Sequence, residues 1–437
     1  MSEAKTLNFR KVEQAFLFTF LALRLLLLAR YYGVFLGYDV RGHLVVVSAI
    51  SWMHPFLSLR SSYYAIHPPL GFLLAHTLVL LGISPLFAAQ ILSFIASLIA
   101  FFFMRQTLKS LGLLHKFPAI IFLYLGASIP MQIYLSLMVS LDVFVLCCMS
   151  IALFFSVQLF WLKQNTLTSM FHAGMLLITL SLASLFKLSG FFLLPIPFFV
   201  FIFTLDQYTW RRFSMVGLTT FVPFCAGMLY LYYRCYVPEH TFLFTTSGTV
   251  VWIDLYKNSM AWRNAHLVRF FLSYVFPIDG GGARLAATWA SFWYMYGYEP
   301  ISLTGRILGV LYYSFAWIPC LLGGIAIVRR KNTDLWSRFG FVILTSSILH
   351  LLCLFYFIYS LPLPGYFVSK GIYISSVSYG IAYLLVSSIP LEVSQIAQRF
   401  KSTLTSRRVQ DYAFFFVALF MIVNHLFPAL SRPSSIY

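Results

Sequence analysis

Long apolar segments recur along the whole chain, and short polar segments separate them. Most approach the roughly 20 apolar residues that an α-helix needs to cross about 30 Å of hydrocarbon. The pattern therefore predicts an all-α, polytopic transmembrane protein with about eleven spans in a single domain, 1–437. The predicted spans are 14–33, 86–104, 117–135, 141–162, 170–186, 188–204, 214–233, 302–328, 340–360, 372–390 and 411–430.

The composition supports this prediction and adds an expectation about partners. With 60% hydrophobic and 10% charged residues, the chain is too apolar for an ordinary soluble protein. In a soluble protein the net charge of +18 would suggest a nucleic-acid partner. In a membrane protein it reflects the excess of Lys and Arg in cytoplasmic loops. We expect a multi-pass membrane protein in contact with lipids and without a nucleic-acid partner.

Charge also decides how the segment 68–83 lies, because it is apolar but short for a crossing. If it crossed, the next span would deliver Arg105, Lys109 and Lys116 to the outside, against the positive-inside rule. We therefore expect this segment to lie in the interface or to re-enter, and the C-terminus to be outside.

Two outer loops follow from this topology. The first, 34–85, is expected to contain interfacial helices, one of them running from Val40 to Leu57. The second, 235–300, is long and rich in aromatic residues, which favours amphipathic helices at the interface or surfaces for stacking on sugars.

Isolated polar residues gather on the predicted outer side, and two lysines there break the positive-inside trend. Charged groups at a membrane surface or within a span are costly and mark functional sites. The candidate residues are Asp39, Arg41, His43 and His67 in the first outer loop, Asp142 at the start of the fourth span, and Lys187 and Lys370 in later outer turns.

These residue types fit the transfer of a group from a lipid phosphate. A phosphate leaving group needs cations, which Lys187, Lys370 and Arg41 could supply. An acceptor hydroxyl or amine needs a base, and Asp39 could serve. Inverting glycosyl transfer requires one such carboxylate, because the acceptor attacks directly without a covalent intermediate.

Structural roles remain open for the same residues. Asp39 could cap the helix that follows it, and Asp142 could cap the fourth span. His67, before two prolines, could be a turn residue, and Lys187 could extend from a helix end into water. The run Asp279-Gly280-Gly281-Gly282 lacks the Lys-Ser/Thr of a phosphate loop and favours a flexible turn.

Five motifs together resemble the GT-C superfamily of integral membrane glycosyltransferases. Within that superfamily the sequence resembles lipopolysaccharide-core glycosyltransferases, aminoarabinose transferases of lipid A and protein O-mannosyltransferases. The motifs are Gly37-Tyr38-Asp39, His67-Pro68-Pro69-Leu70, Ser140-Leu141-Asp142-Val143-Phe144, the run 186–195 around Lys187, and the run 369–374 around Lys370. Two positions depart from the pattern: Val40 stands where many relatives have a second acid, and Ile372 where the late motif has arginine.

The resemblance implies a polyprenyl-phosphate sugar donor and a lipid, glycan or protein acceptor. Asp39 would be the catalytic carboxylate, and Lys187 and Lys370 would lie near the donor phosphate. Transfer would occur on the outer face of a bacterial inner membrane, facing the periplasm, or alternatively on the lumenal face of the endoplasmic reticulum. Some relatives hold a divalent metal; no ligand set in this sequence is strong enough to assign one, so no cofactor is assigned and a metal is left open.

Two other functions are weighed against this interpretation. A polymerase or ligase of lipid-linked polysaccharide would use arginines and a histidine in a late outer loop, where Arg263, His266 and Arg269 qualify. A transporter is expected to show repeated halves and charges at mid-membrane. The early Asp39 loop argues against the polymerase or ligase. The chain shows no repeat and its isolated charges cluster at one face, which argues against the transporter.

Overall fold

The computed structural model describes a set of helices that covers most of the chain. The described residues are 9–36, 40–57, 67–162, 164–203, 210–237, 289, 292–293, 303–329, 334–360, 377–400 and 406–430. Asp39, Lys370 and the candidates Arg263, His266 and Arg269 lie outside them, as does most of the predicted loop 235–300.

Every element of regular structure in these ranges is helical, which confirms the all-α prediction for the described part of the chain. In chain order the α-helices are α1 Phe9–Arg30, α2 Val40–Ala49, α3 Leu70–Leu80, α4 Pro85–Ser110, α5 Phe117–Ser128, α6 Pro130–Leu135, α7 Asp142–Phe160, α8 Thr166–Phe186, α9 Ile196–Ile202, α10 Trp210–Leu231, α11 Leu303–Phe315, α12 Trp317–Arg329, α13 Leu335–Ser360, α14 Val377–Phe400 and α15 Ser406–Leu430. A 3₁₀ helix, Leu188–Leu193, precedes α9, and a π-helical turn, Tyr232–Tyr236, follows α10.

Seven helical stretches among the described residues are long and apolar enough to cross a membrane, so the chain is an integral membrane protein. They are Phe9–Arg30, Pro85–Ser110, Asp142–Phe160, Thr166–Phe186, Arg212–Arg234, Ile307–Val328 and Leu335–Leu352. The other four predicted spans correspond to shorter apolar helical stretches, Phe117–Ser128, Ser189–Ile202, Val377–Ile389 and Asp411–Leu426. The count of eleven spans and their orientation remain predictions.

Two of the predicted spans are broken, one of them directly before a proline. The span predicted at 117–135 consists of α5 and α6, which are separated at Ile129. Ile129 precedes Pro130 and adopts an extended ψ of 132°, because the proline ring disfavours the helical conformation of the residue before it. The span predicted at 188–204 likewise divides into the 3₁₀ helix and α9, which starts after Pro195.

The first outer loop contains two short helices. The expected helix from Val40 to Leu57 ends early, at Ala49, so its predicted length was wrong. The residues beyond it include His54, which precedes Pro55 and exchanges backbone hydrogen bonds with Ser51. Helix α3 has 11 residues, about 16 Å of helix, and is too short to cross the hydrocarbon.

Polar contacts join the helices at both ends of α4. Near its C-terminal end, Arg105 forms a bidentate ion pair with the buried Glu13 of α1, at 2.7 and 2.9 Å. Near its N-terminal end, Gln90 hydrogen bonds to the turn that follows α1. Helices α1 and α4 are therefore antiparallel, and the candidate residues of the first outer loop lie at the Gln90 end.

Candidate functional site

The clearest polar contact at this end of the bundle joins the start of α7 to the end of α8. The Lys187 ammonium donates to Asp142 Oδ1 at 2.6 Å. The Ser140 hydroxyl donates to Asp142 Oδ2 at 3.0 Å and accepts from the Asp142 backbone N–H at 3.2 Å. Both carboxylate oxygens are thus engaged by side chains, and the chain before α7 is held in a tight turn.

This ion pair is largely removed from solvent. The side chain of Lys187 is 14% exposed and that of Asp142 is 7% exposed. The Asp142 carboxylate therefore binds side chains rather than capping its helix. Lys187 points toward Asp142, whereas a lysine extending into water would be largely exposed. Neither the helix-capping role considered for Asp142 nor the extension into water considered for Lys187 is observed.

Close packing of α7, α8 and the following turn sets the geometry of the pair. The rings of Phe144 and Phe186 stack with centroids 4.7 Å apart and planes 3° from parallel. A Cβ atom on Gly190 would lie 2.2 Å from the Ala183 carbonyl oxygen, so only glycine allows this approach. Glycine at position 190 therefore lets the turn after Lys187 fold back on α8.

His43 and His67 lie beside each other and near this pair. Their ring centroids are 5.7 Å apart, and His43 Nδ1–H donates to the Val139 carbonyl at 3.3 Å. Burial lowers the pKa of His67 well below its usual 6.5, and the nearby charge of Lys187 and the His43 ring lower it further. His67 is therefore neutral at pH 7.

The chain on either side of Asp39 is anchored to the same region. The Leu36 carbonyl accepts a hydrogen bond from Val139 N–H at 3.4 Å. Val40 is buried and packs with Ala89 and Val139. Asp39 itself lies outside the described residues, but its covalent neighbour Val40 contacts the segment that leads to Asp142.

Gln90 holds the turn that leads into this loop. Its side-chain amide donates to the carbonyls of Tyr31 at 3.2 Å and Val34 at 2.8 Å, and its oxygen accepts from Gly33 N–H at 3.1 Å. Gly33 has φ of +69°, a conformation that favours glycine. Gln90 was not among the predicted site residues, although an amide side chain within a predicted span indicates a hydrogen bond between helices.

A small, mostly apolar cleft with a volume of about 20 Å³ adjoins these groups. His43, Ser93 and Ser140 contribute its polar lining. The rest of the lining is apolar and comes from α2, α3, α4, α7 and the segment before α7: Val47, Gly71, Phe72, Ala75, Ala89, Leu92, Val139, Leu141 and Phe144. The cleft has room for a water-sized group, and its walls place apolar surface next to the polar cluster.

The structure thus brings together four of the predicted site residues, namely His43, His67, Asp142 and Lys187. Arg41 is described and exposed, on the first turn of α2. Within the described ranges, no three His, Cys, Asp or Glu side chains are grouped so as to hold a metal ion.

Arg24 is a second residue that the sequence analysis missed. It lies within α1, is 2% exposed, and hydrogen bonds to residues of α5 and α6. A lone arginine in an apolar segment is a signal in itself, because a charge inside a span is costly and needs partners.

Comparison with known proteins identifies no relative: no protein-family model, no curated protein and no solved structure matches the chain.

Acid is expected to destabilise the protein through His67. Since its folded environment keeps His67 neutral, only the unfolded chain binds a proton as the pH falls below 6.5. This contribution to stability is complete above pH 6.5 and declines below it, by up to about 1.4 kcal/mol per pH unit. Unfolding midpoints of the wild type and His67→Gln, measured across this range, test the effect. An identical pH dependence in both proteins would contradict it.

Proposed function

We propose that the chain is a membrane glycosyltransferase of the GT-C type, moving a sugar from a polyprenyl-phosphate donor to a lipid, glycan or protein acceptor. The observation that carries the proposal is the grouping of a buried lysine–aspartate pair with two histidines beside an apolar cleft. Of these four residues, Lys187 is the one that the sequence predicts as a cation for the donor phosphate.

The proposed reaction is a direct displacement at the anomeric carbon. The acceptor oxygen forms a bond to that carbon while the bond from the carbon to the phosphate oxygen breaks. The phosphate leaves with the bonding electrons, and the acceptor proton passes to Asp39, so the sugar configuration inverts. Atoms and charge balance without an oxidant, a reductant or a covalent enzyme intermediate.

In this proposal Lys187 stabilises the charge that develops on the leaving phosphate. A cation held in a site with little water is effective, because its attraction is weakly screened and its position is already fixed. Asp142 and Ser140 supply the fixed position. Lys370 and Arg41 are proposed as further phosphate ligands, on the sequence evidence given above.

The apolar cleft supports a lipid-linked substrate rather than a free nucleotide sugar. It lies beside His43 and Ser140, so the apolar part of an amphiphile could lie against its walls with the charged head near Lys187. The charge asymmetry of the sequence favours transfer on the non-cytoplasmic face, in a bacterial inner membrane or in the endoplasmic reticulum. No residue set is assigned to a cofactor.

Incubating the purified protein with a panel of polyprenyl-phosphate sugars and membrane acceptors tests the proposal. The expected result is release of polyprenyl phosphate together with a glycosylated acceptor, without an ion gradient. Addition of many sugar units to one lipid-linked glycan would instead favour the polymerase or ligase alternative. No release from any donor would count against transferase activity.

A transporter remains the second candidate, because two features of the fold are typical of that class. The helix pair α5 and α6 is broken at Ile129, and the charged Arg24 is buried beside the break. Gradient-driven uptake of a substrate into vesicles, with no chemical change in that substrate, would favour this function over glycosyl transfer.

Removing the Lys187 ammonium is expected to lower turnover about 10²–10³-fold, the usual effect of deleting one donor that stabilises a developing oxyanion. Lys187→Ala and Lys187→Gln should both show this loss. Lys187→Arg should recover part of the activity, since it keeps the charge but changes its geometry. Turnover at saturating donor tests this expectation. Wild-type activity in all three variants would remove Lys187 from the site.

A further inference from the structure

Arg24 occupies an unusual position for a charged residue, at the break between two helices in the interior of the bundle. Its Nη2 donates to the Ala127 carbonyl at 2.6 Å, in the last turn of α5. Its Nη1 donates to the Gln132 carbonyl at 3.1 Å and the Ile133 carbonyl at 3.4 Å, in the last turns of α6. Nη1 also donates to the Ser136 hydroxyl, just after α6.

These acceptors explain how a cation is accommodated there. The last four carbonyls of a helix have no partner within it, and together they carry a partial negative charge. The break at Ile129 creates the C-terminal end of α5, α6 has its own C-terminal end at Leu135, and Arg24 binds carbonyls at both ends. Its guanidinium also lies 5.1 Å from the ring centroid of Phe20, one turn earlier on α1.

The same region ties the broken helix to the end of the chain. Gln132 donates to the Ser378 hydroxyl of α14 at 2.6 Å, and Asn424 of α15 donates to the Ser128 carbonyl at 3.3 Å. Four parts of the bundle therefore meet at the break: α1, the α5–α6 pair, α14 and α15. Such a buried and connected network fixes one arrangement of its members.

The segment after α6 leads directly from Arg24 to the candidate site. It begins at Ser136, which also donates to the Ile133 carbonyl at 2.6 Å. It continues through Val139, which binds Leu36 and His43, and ends at Ser140 and Asp142. The position of the Asp142 carboxylate thus depends on a short segment whose first residue is held by Arg24.

From this connection we infer that Arg24 is a positioning residue, which fixes the segment 136–142 so that Asp142 meets Lys187. Arg24 acts through Ser136 and the ends of α5 and α6, not by contact with a substrate. The inference rests on the proposed function only in giving the Asp142–Lys187 pair a role in catalysis. The connection itself can be tested without any activity measurement.

The test is amine labelling of Lys187 in the purified full-length protein, quantified by mass spectrometry. The proteins compared are the wild type, Arg24→Met, Asp142→Asn and the double variant. Loss of its partner should make Lys187 more reactive in Asp142→Asn. Arg24→Met should raise the labelling rate at least about twofold, the lower limit for residues coupled in one network. The double variant should match Asp142→Asn, because Arg24 acts through Asp142.

Controls within the chain separate positioning from general loosening. Lys109 and Lys116, near the opposite end of α4, are exposed and calibrate the labelling reaction in the same samples, so their labelling should not change. Arg105→Met removes another helix arginine, the partner of Glu13, and should leave Lys187 labelling unchanged. Equal increases at Lys187, Lys109 and Lys116 in Arg24→Met would overturn the inference.

A milder variant keeps the test decisive if Arg24→Met does not fold. Ser136→Ala removes one acceptor of the guanidinium and retains the charge, so it should raise Lys187 labelling in the same direction but less. Wild-type labelling of Lys187 in Ser136→Ala and in every folded Arg24 variant would overturn the inference. The inference would also be overturned if Arg24→Met and Asp142→Asn raised the labelling rate of Lys187 independently, so that their effects multiplied in the double variant.

Discussion

Asp39→Asn is expected to lower turnover about 10²–10⁴-fold, the usual cost of losing a general base. Asparagine has the size of aspartate but cannot take the acceptor proton. The residue joined to Asp39, Val40, begins α2 and packs on Val139, next to the segment that leads to Asp142. Turnover at saturating donor, together with a separate measurement of donor binding, tests the expectation.

This substitution separates catalysis from helix capping. Asparagine caps helices about as well as aspartate, so an Asp39 that only capped α2 would tolerate the change. Asp334 offers a matched control, because its carboxylate accepts from Ser337 N–H at 3.2 Å at the start of α13. Asp334→Asn should keep full turnover. Near wild-type turnover in Asp39→Asn as well would reduce Asp39 to a cap.

The sequence predicted the helices well where apolar length decided the structure. Span-length apolar runs such as those of α4 and α7 appear within a few residues of their predicted bounds. It did less well where proline changed the backbone locally, as at Pro130, because a proline in an apolar run leaves hydropathy nearly unchanged. The length of α2 was also overestimated: the helix ends at Ala49, several residues before Pro55, so this proline does not account for its end.

The candidate site was predictable in its members but not in its contacts. Asp142 and Lys187 stood out because charges in or beside apolar segments are rare. Their pairing at 2.6 Å could not be read from the sequence, because it depends on how α7 packs against α8. Arg24 carried the same signal of a charge inside a span, but its Ala127 acceptor lies at a helix end only because the helix breaks at Ile129.

The second large effect is expected on stability, from breaking the buried ion pair. Asp142→Asn leaves the Lys187 ammonium without its carboxylate in a site where its side chain is 14% exposed. Removing one partner of a buried pair costs about 3–5 kcal/mol, because the remaining charge stays desolvated. Asp142→Asn should therefore lower the free energy of unfolding by about this amount.

The double variant Asp142→Asn with Lys187→Met provides the matched comparison. It removes both charges, so it should be more stable than Asp142→Asn alone, although it lacks the proposed phosphate ligand and should not recover turnover. Denaturant or thermal unfolding of the purified proteins in one detergent measures the first effect, and donor turnover the second. If the double variant were as unstable as the single one, the penalty would come from the loss of Ser140–Asp142 packing rather than from an unpaired charge.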